Sequence, residues 1–360
     1  MAESNGFSGF MKKQGIDLSW NRLGIKGMGA MAHGLFASLL IGTIFNTIGT
    51  QTGVEFLNKI GGFATGVTGA AMAISIGFAL EAPPFVLYSL VAVGQAANSL
   101  GGAGGPLAVY FITVIAVVAG KLVSKMTPVD LIVTPLVTIA AGVAASFLLA
   151  PPIGKVASSI GVAIMWATDM QPFIMGILVS VIMGIVLTLP ISSAAICAAL
   201  GLTGLAGGAA LAGCCAHMVG YAVASFRENR VGGLLAQGLG TSMLQISNLV
   251  RKPVLWLPAV ISSAVNGPVA TCLFRLEQNG PAIASGMGTC GLVGPIGVVT
   301  GWLSPGEAAL SAGQTAGGSA FDWFGLVIVA FVIPAIVTLI ASEVMRKRGA
   351  IQFGDLKIDC

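Results

Sequence analysis

The chain has 360 residues, of which 56% are hydrophobic and only 8% are charged. Soluble domains carry about 25% charged residues, so this composition excludes a soluble domain and predicts an integral membrane protein. The formal net charge of +4 does not indicate a nucleic-acid-binding protein, because the basic residues fall in short groups at the ends of apolar segments.

Residues 1–27 precede the first apolar segment and mix hydrophobic with basic side chains. They lack the basic start, apolar region and cleavage site of a removable signal peptide. The pattern predicts an amphipathic segment that lies on the inner membrane surface. Its hydrophobic residues are Phe7, Phe10, Met11, Ile16, Leu18 and Trp20, and the basic residues among them are Lys12, Lys13 and Arg22.

A helix needs about 20 apolar residues to cross the bilayer core, and about ten segments approach this length. The sequence therefore predicts an all-α polytopic membrane protein with broken helices and re-entrant hairpins. We expect a membrane domain over 28–345, in parts 28–128 and 129–345, and a cytoplasmic tail over 346–360. The predicted segments are 28–49, 61–80, 84–98, 106–124, 129–150, 171–190, 198–223, 254–274, 281–301 and 322–343.

The basic residues also predict the topology, because positively charged loops are retained on the cytoplasmic side. Both chain ends carry such groups, so both are expected to face the cytoplasm. The groups are Lys12 to Lys26, Lys121 with Lys125, Arg227 with Arg230, Arg251 with Lys252, and Arg346 to Arg348.

The apolar run 171–189 stops at Pro190, and two hydroxyl residues follow it, Ser192 and Ser193. A proline frees backbone groups that need partners, so these serines either satisfy the kink or bind a ligand. A similar local sequence surrounds Pro258, and Pro295 lies in a stretch that resembles residues 101–109. Apolar segments interrupted by Gly and Pro in both halves of a chain are typical of transporter binding sites.

The stretch "GTSMLQISNLVRKP" (240–253) is a polar block without acids between two apolar regions. Polar groups at membrane depth are costly, so the block indicates either a ligand site or a polar hairpin tip at the interface. With the residues before it, it is too polar for an ordinary span, which predicts a loop and then a hairpin buried in the protein. Its candidate solute-binding residues are Thr241, Ser242, Gln245 and Asn248.

Two further polar residues are candidates for the same site. Gln51 closes the first span in "FNTIGTQTG", where an ordinary exit loop is the alternative interpretation. Thr289 lies in the broken, Gly-rich stretch "SGMGTCGLVGPIG".

The sequence gives little reason to expect catalysis. The "CCAHM" stretch (214–218) combines two thiols with His217, but residues so close together cannot easily share a tetrahedral metal site. A packed intramembrane histidine, or one on a polar path, is the preferred interpretation. The chain has no phosphate-binding GxxxxGK[ST], no HExxH and no GxSxG motif. We therefore expect no catalytic residue, no metal site and no cofactor.

The order of the motifs resembles the membrane subunit, enzyme IIC, of fructose-type phosphotransferase systems. Residues 133–195 are similar to a Thr-Pro-Leu span, a Pro-Pro-Ile turn and a break that the family writes DMGGPVNKAA. "GTSMLQISNLVRKPVLWLPAVISSAV" (240–265) is similar to the family's GITEGAIPFAAKDPLRVIPA segment, and "VGPIGVV" (293–299) to its PHGG segment. The resemblance covers residues 130–300 and is closest to the divergent branch that includes perfringolysin regulator membrane proteins.

The resemblance implies a fold, a setting and partners. These are a homodimer in a bacterial cytoplasmic (inner) membrane, an elevator movement of one half against the other, a sugar or polyol as solute, and separate IIA and IIB phosphocarrier proteins. Matching prolines places the family's Asp, Asn and Lys at Val186, Ser192 and Ser193, and its sugar-binding Glu at Met243. The charged groups of the family's sugar site are therefore absent, and Cys360 does not replace the phosphocysteine loop of a IIB domain.

We predict a membrane permease that resembles the sugar-translocating IIC subunit and carries a small polar solute. The alternative is a membrane-embedded sensor or regulator of toxin or virulence gene expression that does not transport. A channel or purely structural protein is a third interpretation, which the paired broken segments disfavour.

Overall fold

The structure, a computed structural model, describes residue 11 and residues 14–304 and 317–358. The described residues form helices, and the β-type contact among them is an isolated bridge between Gly204 and Gln278. The chain divides into two compact units. The first contains the residues up to Gly42 with Lys59–Val156, and the second contains Thr43–Asn58 and the residues from Ala157 onward. Parts of the predicted amphipathic segment, namely Phe7, Phe10, Lys12 and Lys13, lie outside the described residues, as does Cys360.

Six helices precede the middle of the chain. Residues 21–27 of the predicted surface segment are helical and continue into the first span, and the surface location of residues 1–27 stays a prediction. The helices are α1 (Asn21–Thr52), α2 (Glu55–Gly66), α3 (Thr68–Ala79), α4 (Pro84–Gly101), α5 (Gly105–Val123) and α6 (Asp130–Thr168).

Helices α4 and α5 are the two arms of one hairpin within the first unit. The backbone reverses at Gly102, whose φ of 51° and ψ of −124° suit a residue without a Cβ atom. The side chain of Val86 lies against Gly120, so the start of α4 packs on the end of α5. Helix α6 packs against both arms, since Gly142 lies beside Val93 of α4 and Ala116 of α5.

Helix α6 has 39 residues and is longer than the predicted segment 129–150. Pro151 and Pro152 lie inside it, so the Pro-Pro-Ile turn that the family resemblance implied is wrong for this chain. Membrane helices tolerate proline because side chains and local backbone adjustments satisfy the freed carbonyl groups.

The second half of the chain is more broken than the first. The predicted segment 198–223 contains a helix long and apolar enough to cross a membrane (Gly204–Ala224), but its start was wrong: positive φ at Gly201 (59°) and Gly204 (62°) separates this helix from the one before it. The helices are α7 (Pro172–Thr188), α8 (Ser193–Leu200), α9 (Gly204–Ala224), α10 (Phe226–Leu235), α11 (Ile246–Arg251), α12 (Pro253–Leu273), α13 (Ala282–Ser285), α14 (Cys290–Leu303) and α15 (Ala320–Lys347).

Helix α9 is the centre of the second unit, and 89% of its most apolar 18-residue stretch is buried. A Cβ atom at Gly213 would overlap the backbone of Ser180 on α7, so glycine permits this close helix contact. The Asn266 amide of α12 donates to the carbonyls of Ala212 (2.9 Å) and Val329 (2.8 Å) and ties three helices together. The polar side chains that reach α9 are therefore buried between helices.

Six helical stretches in the described part of the chain, with α4 and α5 counted together as one, are long and apolar enough to cross a membrane, or up to seven if the bent pair α2 and α3 is one span. Helices α7 and α14 are apolar but shorter. The protein is therefore a multi-pass membrane protein. The predicted number of ten segments stays a prediction, because length and composition alone do not establish it.

Candidate functional site

Two interruptions of regular helix meet in the second unit. Helix α7 ends at Thr188, and Pro190 follows in a turn, because proline cannot continue the helical hydrogen-bond pattern. The other interruption is residues 236–256, here named the polar segment, which consists of short π, 3-10 and α turns. Residues 240–246 within it are all buried. The first half of the polar block is thus enclosed by protein, whereas Arg251 and Pro253 near its end are exposed.

Three side chains connect these interruptions to α9. The Thr188 and Ser242 hydroxyls share a hydrogen bond of 2.7 Å, and the Thr188 hydroxyl lies 2.8 Å from Nδ1 of His217. Thr188 also reaches the Gly184 carbonyl in its own helix at 3.1 Å. All three residues are 0% exposed. We name them the hydroxyl–imidazole cluster.

His217 has one ring nitrogen engaged and one without a partner. Its Nε2 atom is buried and makes no hydrogen bond within the described structure. The ring packs edge-on against Tyr221 at 5.7 Å and lies 6.0 Å from the Trp256 ring. His217 is therefore a buried, packed histidine, which agrees with the first of the two interpretations that the sequence allowed. Among the described residues, no three His, Cys, Asp or Glu side chains lie close enough together to hold a metal ion.

A second polar cluster surrounds the amides of the polar segment. Gln245 Nε2 donates to Gln237 Oε1 and to the Leu356 carbonyl, both at 2.9 Å. Asn248 Nδ2 donates to Gln245 Oε1 and to the Lys357 carbonyl, both at 2.8 Å. These predicted solute ligands are thus bound to each other and to the end of the chain. We name Gln237, Gln245 and Asn248 the amide cluster.

An ion pair lies at the edge of the amide cluster, where Lys252 Nζ is 2.6 Å from Asp355 Oδ2. Burial opposes ionisation of Asp355, but the Lys252 ammonium and the Gln352 backbone N–H outweigh it and hold the pKa of this carboxyl below its usual value. A second and more deeply buried pair joins Glu228 to Arg346 at 2.8 Å.

The other predicted site residues are dispersed. Ser193 donates to the Gly286 carbonyl at 2.7 Å, and Ser192 accepts from the Ala195 N–H as the cap of α8. Thr241 accepts from the Met243 N–H at 3.2 Å, and Thr289 donates to the Gly238 carbonyl. Gln51 is exposed at the end of α1. The structure therefore brings Ser242 into one cluster and Gln245 with Asn248 into another.

The predicted break positions and the positions carried over from the family motif have distinct surroundings. Pro190 and Pro258 are buried beside helix starts or ends, and Pro295 is buried near the start of α14. Val186 and Met243, where the motif resemblance placed the family's Asp and Glu, are each 2% exposed.

Thr188, Gln237 and the role of His217 in a cluster were not predicted from the sequence. Thr188 immediately precedes the Leu-Pro break, so its position two residues before Pro190 was the available signal. Gln237 had no such signal, because its partners Ser225 (2.8 Å) and Gln245 come from other elements.

A protein-family model described as phosphotransferase system, EIIC matches residues 25–358. The chain belongs to the phosphotransferase system enzyme IIC family. The match extends well beyond residues 130–300, on which the motif resemblance rested. No curated protein and no solved structure matches the chain. Family membership makes the chain a membrane sugar-transport subunit of the kind that works with separate IIA and IIB components.

Proposed function

We propose that this enzyme IIC protein carries a small neutral polyhydroxylated solute, a sugar or polyol, and binds it at the hydroxyl–imidazole cluster. The observation that carries the proposal is the 2.7 Å bond between Thr188 and Ser242, which joins a broken helix end to the polar segment at 0% exposure. Polar groups so deep in a membrane protein are costly, and hydroxyls on broken elements suit a ligand that replaces their mutual bonds.

The neutrality of the cluster supports the choice of solute. The side-chain partners of Thr188 are a hydroxyl and an imidazole, and apolar residues stand at Val186 and Met243. A charged solute entering this site would lose its hydration without gaining an opposite charge, which is strongly unfavourable. A sugar hydroxyl both donates and accepts, so it can take the place of either partner of Thr188.

The wider transport scheme is also part of the proposal. We expect a homodimer in a bacterial cytoplasmic membrane, with both termini inside and an elevator movement between the two halves of the chain. Ser192, Ser193, Thr241, Gln245, Asn248, Gln51 and Thr289 stay predicted solute ligands, which the same experiments can test one at a time. The regulatory alternative gains no support from the family match.

Binding to the purified protein tests the proposal directly. Radiolabelled hexoses and hexitols are titrated by scintillation proximity against the unaltered chain and against Ser242→Ala. We expect about tenfold weaker binding for the variant, because one neutral hydrogen bond contributes about 0.5–1.5 kcal/mol and 1.4 kcal/mol is tenfold in affinity.

A matched control is Ser146→Ala on α6, which also removes a 0% exposed serine hydroxyl but one bonded only to Gly142 of its own helix, at 2.8 Å. We expect unchanged binding for this control. Equal affinity of Ser242→Ala and the unaltered chain would remove the cluster from the site. Absence of binding by every hexose and hexitol would contradict the solute class.

A further inference from the structure

Residues 351–358, here named the C-terminal strap, bridge two parts of the second unit. The Leu356 carbonyl accepts from Gln245 of the polar segment (2.9 Å) and from Asn229 of α10 (2.8 Å). The Asn229 carboxamide oxygen accepts in turn from the Ile358 N–H at 2.9 Å. With Lys357 on Asn248 and Asp355 on Lys252, the strap supplies partners to amides on both sides.

The strap is held without being part of any helix or strand. Three apolar side chains anchor it, namely Ile351 (2% exposed), Leu356 (1%) and Ile358 (7%). Ile351 and Leu356 pack in one cluster with Tyr221, Leu249 and Leu255. The neighbouring Phe353 is 77% exposed. Four of its eight residues are exposed, and no helix or strand hydrogen bonds hold it, so the strap opens at a lower free energy than the helices it lies on.

The polar segment in turn depends on the strap for its position. Its pieces are a five-residue π turn, two four-residue 3-10 turns and the six-residue helix α11, so few internal hydrogen bonds fix it. At its approach, Arg230 has φ 52° and ψ −152°, a conformation that is essentially reserved for glycine. Such strain persists only where surrounding contacts enforce it, and the strap binds the adjacent Asn229.

We propose that the C-terminal strap is a releasable lock. Bound, it holds the polar segment closed so that Ser242 stays on Thr188 and His217 is covered. Released, it frees Gln245 and Asn248, and the polar segment moves about the strained joint at Arg230 and opens the hydroxyl–imidazole cluster to water. This inference concerns the movement of the chain and holds whatever solute the cluster binds.

Hydrogen–deuterium exchange of the full chain in detergent tests the lock without any solute. The variant Leu356→Asp places a charge at the most deeply buried apolar side chain of the strap and so expels the strap. We expect amide exchange in residues 240–252 to become at least about tenfold faster, since their closing contacts are lost. Exchange in α7 (Pro172–Thr188) is expected to stay unchanged. The matched control is Phe353→Asp, which adds the same charge three residues earlier on an exposed side chain and should change neither region.

Three results would overturn the proposal. In the first, residues 351–358 of Leu356→Asp exchange fast while residues 240–252 exchange as in the unaltered chain. In the second, exchange accelerates equally in α7 and in residues 240–252. In the third, the strap stays protected from exchange in Leu356→Asp. If Leu356→Asp does not fold, Lys252→Met decides, because its side chain is 33% exposed and the change removes only the ion pair. A selective acceleration in 240–252, smaller than tenfold, then supports the lock, and no change contradicts it.

Discussion

The side-chain nitrogen of Gln245 lies 2.9 Å from the main-chain oxygen of Leu356, although 111 residues separate them in sequence. This bond explains how Gln245, a polar residue in a largely apolar chain, is satisfied when it is buried. The amide cluster is consequently satisfied by the chain itself. In the hydroxyl–imidazole cluster, by contrast, His217 Nε2 has no partner within the described structure, and we propose this cluster as the solute site.

We predict that Thr188→Val lowers the free energy of unfolding by about 1–3 kcal/mol, because His217 and Ser242 lose a buried partner while side-chain volume is retained. The matched control is Thr138→Val, equally buried and bonded at 2.7 Å only to Thr134 of its own helix. Thermal unfolding in detergent measures both. Equal shifts for the two variants would show that the hydrogen bonds of Thr188 to His217 and Ser242 add nothing to the stability of the fold.

We expect a larger loss in the free energy of unfolding when the buried ion pair of Glu228 and Arg346 is broken. Arg346→Met leaves Glu228, whose side chain is 1% exposed, without its counter-charge, at an expected loss of about 3–5 kcal/mol. Arg227→Met removes a pair with Glu343 in which Arg227 is 62% exposed, and should lose less than about 1 kcal/mol. Chemical unfolding followed by tryptophan fluorescence ranks the two. The reverse order would contradict the burial of Glu228.

Relief of backbone strain should stabilise the chain at one position. Arg230→Gly allows the observed φ of 52° without a Cβ clash, and we expect a gain of about 1 kcal/mol. The comparison is Arg227→Gly, in helical conformation, where glycine should lose about 1 kcal/mol relative to a good helix former. Melting temperatures of the two variants should therefore shift in opposite directions, and a fall for both would show that Arg230 is not strained.

A single methyl group added at the contact between α7 and α9 should destabilise the protein. Gly213→Ala forces a methyl group into the Ser180 backbone, and overpacking of this kind costs about 1–3 kcal/mol. Gly232→Ala, where a Cβ atom meets nothing within 4 Å, is the control and should be neutral or slightly stabilising. Thermal unfolding of both variants checks the prediction, and tolerance of Gly213→Ala would disprove the close approach.

The ion pair of the strap predicts a pH dependence. The lowered pKa of Asp355 means that the folded chain favours its ionised form, so the stabilisation is complete above the usual value of 3.8. It is lost as the pH falls through the lower folded-state pKa. The difference in unfolding free energy between the unaltered chain and Asp355→Asn should thus be constant from about pH 5 to 8 and shrink below about pH 3.8. A difference in unfolding free energy that grows on acidification would contradict a lowered pKa of Asp355 in the folded chain.

Parts of the fold and site were predictable because they depend on local sequence. Pro190 ends α7 since proline has no N–H to donate, and the polar block around Ser242 is buried since an apolar bilayer cannot accept irregular backbone. The start of the segment 198–223 was mispredicted because its apolar character gives no sign of the positive φ at Gly201 and Gly204. Helix α6 passes through Pro151 and Pro152 because neighbouring structure outweighs local propensity.

By itself, the sequence determined that this is a multi-pass membrane protein of the enzyme IIC family, because few charges and the order of its motifs are local properties of the chain. Tertiary structure alone decided how its polar residues pair. Ser242 meets Thr188 and His217, whereas Gln245 and Asn248 meet the strap. Hydrogen bonding inside a protein depends on which distant segments pack together, and no residue spacing along the chain encodes that distance.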